Sequence, residues 1–181
     1  QGGERVARRP AESPDIEVGD RDRVETLGPH RSKIAEHMVR SRAVSAHAQT
    51  IHEVDFSSVV DHRKAKKAEF KERGVDLTYT AYLIKAAADA LREYPMVNAS
   101  LQPNEDEADE VVYRGDINVG MAVALDASLI VPVVENADEL SLLGIARKVN
   151  DLADRARSKQ LSNDEVQGGT FTVSNHGVFG P

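Results

Sequence analysis

Two nearly uninterrupted apolar segments constrain the fold of this chain more than any other feature. They cover residues 117–125 and 129–134 and are rich in valine, isoleucine, leucine and alanine. Strands that are buried on both faces have continuous apolar runs, whereas half-buried strands alternate apolar and polar residues. The two segments therefore predict strands that are covered on both sides.

Four helices are predicted from apolar spacing and capping residues. In the last, 140–157, apolar residues recur every three or four positions, which places them on one helical face. The third starts after Thr78, is apolar on most sides and ends before Pro95. The other two helices are expected at 31–42 and at about 58–73, the second with Ser57 or Ser58 as cap and Gly74 as stop.

Further strands are predicted at 49–56, 97–101, 111–113 and 170–174. The acidic run at 105–110 interrupts the pattern and is expected to be a solvated loop. Helices and strands are mixed without strict alternation, so the predicted fold class is α+β, a mixed β-sheet with flanking helices.

Residues 1–27 are predicted to be a flexible linker, and 28–181 a single domain. The first segment is rich in charges, glycine and proline and poor in large apolar residues. It does not begin with methionine and has no apolar stretch typical of a signal peptide. We therefore expect the chain to be part of a longer protein.

Composition excludes several classes of function. The 181 residues have a net charge of −7, which argues against broad nucleic-acid binding. The absence of cysteine excludes disulfides, thiolate metal sites and a cysteine nucleophile. No apolar run approaches the roughly 20 residues of a membrane span. We expect neither a nucleic-acid nor a membrane partner.

The chain contains no complete catalytic motif, but two polar residues are notable. No pair among the six histidines has zinc-protease spacing, and no metal site is expected. The Ser174 hydroxyl, at the end of a strand, either donates to a developing oxyanion or satisfies the local backbone; residue chemistry alone favours the second role. Arg31 opposes the dipole of the first helix, and either pairs with a buried carboxylate or faces solvent.

Eight segments, in order along the chain, supply a more specific signal. They include Arg31-Ser-Lys-Ile-Ala-Glu-His-Met38, Leu129-Ile-Val-Pro-Val133 and Gly168-Gly-Thr-Phe-Thr-Val-Ser-Asn175. The others lie at 53–55, 77–80 with 85–87, 95–100, 117–123 and 141–147. They resemble the dihydrolipoamide acyltransferase component of 2-oxo acid dehydrogenase complexes, and the resemblance runs from about residue 25 to residue 180.

The resemblance implies a chloramphenicol-acetyltransferase-like fold that forms homotrimers within a cubic or dodecahedral core. It implies transfer of an acyl group between the dihydrolipoyl arm of a lipoyl domain and coenzyme A, which are substrates, with no cofactor bound in this domain. The implied partners are the 2-oxo acid decarboxylase and dihydrolipoamide dehydrogenase components. The implied location is the bacterial cytoplasm or the mitochondrial matrix, of which we favour the cytoplasm.

The same resemblance assigns roles to three residues. Ser174 matches the family's oxyanion-stabilising serine. Arg31 matches the arginine that pairs with the aspartate of a His-x-x-x-Asp-Gly motif, and His47 falls where many members have a histidine near the substrate channel. That motif, which contains the catalytic base, is absent from the 181 residues. We therefore expect an incomplete domain, with its C-terminal part missing, that is inactive by itself.

Two positions depart from the family pattern, and two alternative functions remain open. Ala127-Ser128 replaces a glycine-containing turn, and His176 stands where an apolar residue or glycine is usual; we do not expect His176 to replace the base. The alternatives are a non-catalytic core subunit that only scaffolds its partners, and a free-standing acyltransferase acting on a small alcohol.

Overall fold

The computed structural model describes residues 16–103, 109–125 and 128–175. These residues belong to two units, which divide between Glu53 and Val54. The expectations for most of the acidic run, for Ala127 and for His176 therefore lie outside the described residues, as does the first half of the predicted linker. No helix among the described residues is both long and apolar enough to cross a bilayer.

The described part of the first unit contains a single helix, α1, which spans Pro29–Val44. Proline suits the first helical turn because its fixed backbone angle is already helical and its missing N–H would have no partner there. The predicted helix is confirmed. Residues 16–28 and 45–53 contain no helix or strand.

The predicted strand at 49–56 is wrong, because none of the described residues pairs with it as a strand. The β-branched Ile51 and Val54 favour extended backbone, but a strand also needs a hydrogen-bonded neighbour. Both side chains are exposed.

The described residues of the second unit form three further long helices and two short 3₁₀ turns. The helices are α2 (Ser57–Glu72), α3 (Tyr79–Glu93) and α4 (Leu142–Arg157), and the turns are Pro95–Asn98 and Asp164–Val166. All three predicted helices are therefore confirmed. The α4 helix has a side-chain cap, since the Ser141 hydroxyl accepts from the Gly144 N–H at 3.2 Å.

The first end of α2 differs from the expectation, whereas its last end agrees with it. Phe56 occupies the capping position, and the Asp55 carboxylate accepts from the Ser57 N–H at 2.9 Å. The expectation of a serine cap was therefore wrong. At the other end Gly74 adopts φ +72°, a conformation that favours glycine, and its N–H donates to the Lys71 carbonyl. The predicted stop at Gly74 is confirmed.

Seven strands in the described residues form three small sheets. The strands are β1 (Ala99–Pro103), β2 (Asp109–Tyr113), β3 (Val119–Met121), β4 (Val123–Leu125), β5 (Ser128–Ile130), β6 (Val133–Val134) and β7 (Phe171–Val173). β1 pairs with β2, and β4 with β5, in antiparallel fashion. In the third sheet, β3 lies between antiparallel β6 and parallel β7. Helices beside mixed pairing confirm the α+β class.

The two apolar segments that predicted long strands are each interrupted. The first breaks at Ala122, between β3 and β4, and the second breaks before β6 at Pro132, which has no N–H to donate. All three β3 residues are buried as predicted, but Leu129 of β5 is 52% exposed, so two-sided burial was wrong there. The strand expected at 97–101 instead begins at Ala99, after a 3₁₀ turn.

The core of the second unit forms where α3 and α4 pack against each other and against the neighbouring strands. Ile84 of α3, Ile145 of α4 and Val119 of β3 are fully buried. Burial of such a side chain stabilises the fold by about 1.5–3 kcal/mol before other terms are counted. This core supports the sheet that carries Ser174.

Candidate active site

Ser174 directly follows β7 and lines a cavity of about 420 Å³. Its place follows from strand pairing, because β7 runs parallel to β3 with Met121 beside Val173. The next residue after β3, Ala122, continues the contact by donating its N–H to the Val173 carbonyl at 3.2 Å. Ser174 is exposed to solvent at this strand end.

Asn118 fixes the entrance to β7. Its carbonyl accepts from the Thr170 N–H at 2.8 Å, and its side-chain amide donates to the Gly168 carbonyl at 3.1 Å. Its side-chain oxygen accepts from the Asn136 N–H at 2.9 Å, on the other side of β3. Asn118 therefore holds the segments that flank β3, and with them β7, the strand that precedes Ser174.

Gly120, in the middle of β3, allows the close approach of its neighbours. A Cβ atom at this position would lie 2.9 Å from Val131 Cγ1 and 3.1 Å from Thr172 Oγ1. Only a residue without a side chain leaves this space. The close packing of the Val131 and Thr172 side chains against β3 thus depends on a glycine.

The cavity has a mainly apolar wall and a polar wall. The apolar side chains come from β3 to β5 and from α4: Met121, Ala122, Val123, Ala124, Leu129, Val149 and Ala153. The polar ones come from residues 76–80, from α4 and from the segment after β7: Asp76, Thr78, Thr80, Asn150, Asp154, Arg157, Ser174 and Asn175. Such a site can hold a ligand with an apolar chain and a polar reacting group.

The polar wall is fixed at both ends of residues 76–80. Asn150 of α4 accepts from the Asp76 N–H at 2.6 Å and donates to the Asp76 carbonyl at 3.0 Å. At the other end, the Asn175 amide donates to Thr80 Oγ1 at 3.4 Å. Residue 175 is adjacent to Ser174, so this wall is tied to the segment that carries the hydroxyl.

Arg63 of α2 fixes the centre of the same wall. Its Nε donates to the Leu77 carbonyl at 2.7 Å, and its guanidinium carbon lies 4.7 Å from the centre of the Tyr79 ring. The Thr78 hydroxyl is buried and has no hydrogen-bond partner among the described residues. Thr78 is the residue before α3, as predicted, but its side chain makes no capping bond.

The charged groups of the cavity are mostly paired. Asp76 accepts from Lys71 at 3.1 Å, and Arg157 donates to Asp154 at 3.3 Å. Arg155, two residues before Arg157 on α4, binds both Asp151 and Glu165. Among the described residues, no cluster of histidine and carboxylate side chains is arranged to hold a metal ion.

Glu165 has the most altered acidity near the end of α4. Hydrogen bonds from Arg155, and then from the Ser162 N–H, lower the pKa of this carboxyl from 4.5 to about 2. The hydrogen bond to Glu165, and then the one to Asp151, raise the pKa of Arg155. This pair joins α4 to the segment that leads into β7.

The two other residues singled out from the sequence lie in the first unit. Arg31 is exposed on α1 and forms no ion pair with another described residue, and His47 is exposed in the segment after that helix. Their expected roles stay predictions, as does that of Ser174.

Sequence reasoning missed several cavity residues, above all Asp76, Thr80 and Asn150. Asp76 and Asn150 belong to no motif and are 74 positions apart. Thr80 lies in the family-like segment 77–80, but no role in a site was expected for it. The only local signal was Asn150, an amide residue that follows Val149 of the apolar face of α4.

Comparison with known proteins decides the family. The model of the 2-oxoacid dehydrogenases acyltransferase catalytic domain matches residues 19–181. The chain belongs to the 2-oxoacid dehydrogenase acyltransferase family. The resemblance seen in the eight sequence segments is thereby confirmed.

Two acyltransferase relatives illustrate the range of the family. The chain is 42% identical, over 83% of its length, to the lipoamide acyltransferase component of the branched-chain alpha-keto acid dehydrogenase complex of Bacillus subtilis. It is 40% identical, again over 83%, to the succinyltransferase component of the 2-oxoglutarate dehydrogenase complex of Cupriavidus necator. It spans only 34% and 35% of these two proteins, about a third of their length.

Solved acyltransferase structures share the fold. A probable dihydrolipoamide acetyltransferase of Listeria monocytogenes matches with a TM-score of 0.82 and 40% identity, covering 90% of this chain and 68% of that one. The cubic core of a pyruvate dehydrogenase multienzyme complex matches at 0.82 and 33%, covering 93% and 70%. The Azotobacter vinelandii dihydrolipoamide acetyltransferase, whose mechanism was investigated through a serine, a histidine and an asparagine, matches at 0.83 and 32%, covering 93% and 70%.

Proposed function

We propose that the protein containing this chain transfers an acyl group between a dihydrolipoyl arm and coenzyme A. The observation that carries the proposal is the position of Ser174 in a family member, at a strand end that lines a cavity with an apolar wall. A serine is also among the residues investigated in the mechanism of the similar Azotobacter enzyme.

In the proposed reaction, one thioester is exchanged for another. The coenzyme A sulfur loses its proton and attacks the carbonyl carbon of the acyl-dihydrolipoyl thioester, which forms a new C–S bond and a negatively charged oxygen. The C–S bond to the dihydrolipoyl sulfur then breaks, and that sulfur takes up the proton. No electrons are gained or lost overall, and the reverse reaction follows the same steps.

Ser174 is the proposed donor to the negatively charged oxygen. A preorganised hydroxyl that meets charge developing only in the transition state lowers the barrier by about 3–4 kcal/mol. Asn118, Gly120 and the tie between Asn175 and Thr80 would hold the hydroxyl in place. Preorganisation of this kind avoids the reorganisation that water would need.

The proton acceptor in this proposal is the histidine of a His-x-x-x-Asp-Gly motif, by family resemblance. The 181 residues do not contain this motif. Arg31 is proposed to pair with the aspartate of the motif, and His47 to lie near the substrate channel. A histidine is suited to the role because its pKa is close to neutral pH.

The assembly and the topology belong to the same proposal. We propose a chloramphenicol-acetyltransferase-like fold, homotrimers that build a cubic or dodecahedral core, and association with the decarboxylase and dihydrolipoamide dehydrogenase components. The similarity to the cubic core of a pyruvate dehydrogenase complex supports the core assembly. Coenzyme A and dihydrolipoamide act as substrates, and the bacterial cytoplasm stays the predicted location.

The test is an acyltransfer assay on the intact protein that contains these residues. Acetyl-, isobutyryl- and succinyl-coenzyme A are each offered with free dihydrolipoamide, and the acylated thiol is quantified. We expect turnover above the enzyme-free rate with at least one donor. A folded, assembled protein that turns over none of the three would contradict the proposal.

A further inference from the structure

The cavity beside Ser174 differs chemically between its two sides. On one side, Met121 and Val123 are buried within the wall formed by β3 and β4, and Leu129 of β5 adds an exposed isobutyl group. The pairing of Ala124 with Leu129 across the β4–β5 hairpin makes this wall continuous. An aliphatic group placed against it would leave water without losing any hydrogen bond.

The ionised side chains of the described lining are already paired. Asp76 accepts from Lys71 at 3.1 Å, and Arg157 donates to Asp154 at 3.3 Å. Arg157 and Asp154 lie on α4, which also contributes the apolar Val149 to the cavity. The carboxylate of an acyl group that enters the cavity would therefore meet an apolar surface or a cation that another carboxylate already binds.

The position of the acyl group follows from the reaction. If Ser174 donates to the thioester oxygen, that oxygen lies about 3 Å from the hydroxyl. The acyl chain starts at the carbon bonded to this oxygen, so its first few carbons lie against the cavity lining. The free carboxylate of a succinyl group would lie only three carbons further along the chain. It would lose hydration there, and such a loss is costly without a cation to compensate.

We propose that this cavity selects an uncharged aliphatic acyl group, acetyl or branched-chain, and discriminates against a dicarboxylic one such as succinyl. The inference rests on the proposed function, because it assigns the acyl specificity of the same site. Its basis is the apolar wall formed by Met121, Val123 and Leu129, together with the ion pair that already engages the Arg157 guanidinium of the lining.

The first experiment compares acyl donors with the intact protein. The kcat/KM values for acetyl-, isobutyryl- and succinyl-coenzyme A are measured with dihydrolipoamide as acceptor. We expect the better uncharged donor to exceed succinyl-coenzyme A by at least about tenfold. The ratio of acetyl to isobutyryl then distinguishes the two uncharged classes. Equal or better use of succinyl would overturn the inference while leaving the acyltransferase function intact, whereas no turnover with any donor would contradict both.

A second experiment asks whether the apolar wall is the surface that the acyl group contacts. Leu129→Arg adds a cation to the wall at an exposed position, where folding does not depend on the leucine. We expect the kcat/KM for succinyl relative to acetyl to rise at least about fivefold, because the guanidinium can pair with the carboxylate. Leu129→Gln, polar but uncharged, is the matched control and should leave this ratio within about twofold. An unchanged ratio in Leu129→Arg would show that the acyl group lies elsewhere.

Discussion

Helices α1 and α4 are both 16 residues long, and both were predicted from apolar residues at helical spacing, yet they differ in burial. In α4 that spacing places Ile145, Val149 and Leu152 in the core of the second unit. In α1 the corresponding apolar side chains remain exposed, 44% for Ile34 and 58% for Met38. Spacing therefore predicts the helix, whereas burial also requires a partner surface, which α3 and the sheet provide for α4.

The largest expected difference between the two helices is in the stability lost when an apolar side chain is shortened. Ile145→Ala removes a fully buried side chain from α4 and should lower the free energy of unfolding by about 2–5 kcal/mol, because a cavity is left behind. Ile34→Ala in α1 should change it by less than about 0.5 kcal/mol. Urea unfolding followed by circular dichroism measures both. Equal losses would show that α1 carries as much stability as α4.

A smaller difference in the free energy of unfolding is expected between glycine substitutions in the two units. Gly120→Ala places a methyl group 2.9 Å from Val131 Cγ1 and should cost about 1–3 kcal/mol, since the Val131 and Thr172 side chains must move away from β3. Gly28→Ala, before α1, meets nothing within 4 Å and has an ordinary φ of −66°, so its cost should stay below about 1 kcal/mol. Chemical denaturation of both variants checks this order, and a harmless Gly120→Ala would contradict the close approach.

The smallest expected difference in stability is between an ion pair of the second unit and one of the first. The pKa of Glu165 is lowered to about 2, so the pair with Arg155 stabilises the fold fully above pH 4.5 and progressively less as the pH falls to 2. Glu165→Gln should lower the melting temperature by a few degrees at pH 7, and the gap to the unmodified protein should close towards pH 2. Glu25→Gln disrupts the exposed pair with Arg23 in the first unit and should have almost no effect. A pH-independent gap for Glu165→Gln would contradict the assigned ionisation.

Local signals in the sequence predicted the elements of the second unit well. Helix α4 was expected at 140–157 and spans Leu142–Arg157, because its spacing and its Ser141 cap are both local features. The stop at Gly74 was predicted for the same reason. The segment 49–56 failed because strand formation depends on a distant partner, which β-branched residues do not reveal.

The candidate site was predictable only in part. Ser174 was identified by family resemblance, since residue chemistry alone favoured a structural role for its hydroxyl. The polar wall beside it depends on contacts between residues far apart in sequence, such as Asn150 with Asp76 and Asn175 with Thr80. Asp76 and Asn150 lie in no motif, and Asn175 and Thr80 lie in two separate family-like segments, so only the folded structure shows that these residues line one cavity.

The most direct test of the account is the effect of Ser174→Ala on acyl transfer by the intact protein. If the hydroxyl stabilises the tetrahedral oxygen, kcat should fall about 10²- to 10³-fold, while KM and the free energy of unfolding stay nearly unchanged. Ser58→Ala, which removes an exposed hydroxyl from α2, should leave kcat unaltered. A Ser174→Ala protein that retains kcat within about twofold would show that the hydroxyl does not take part in the reaction.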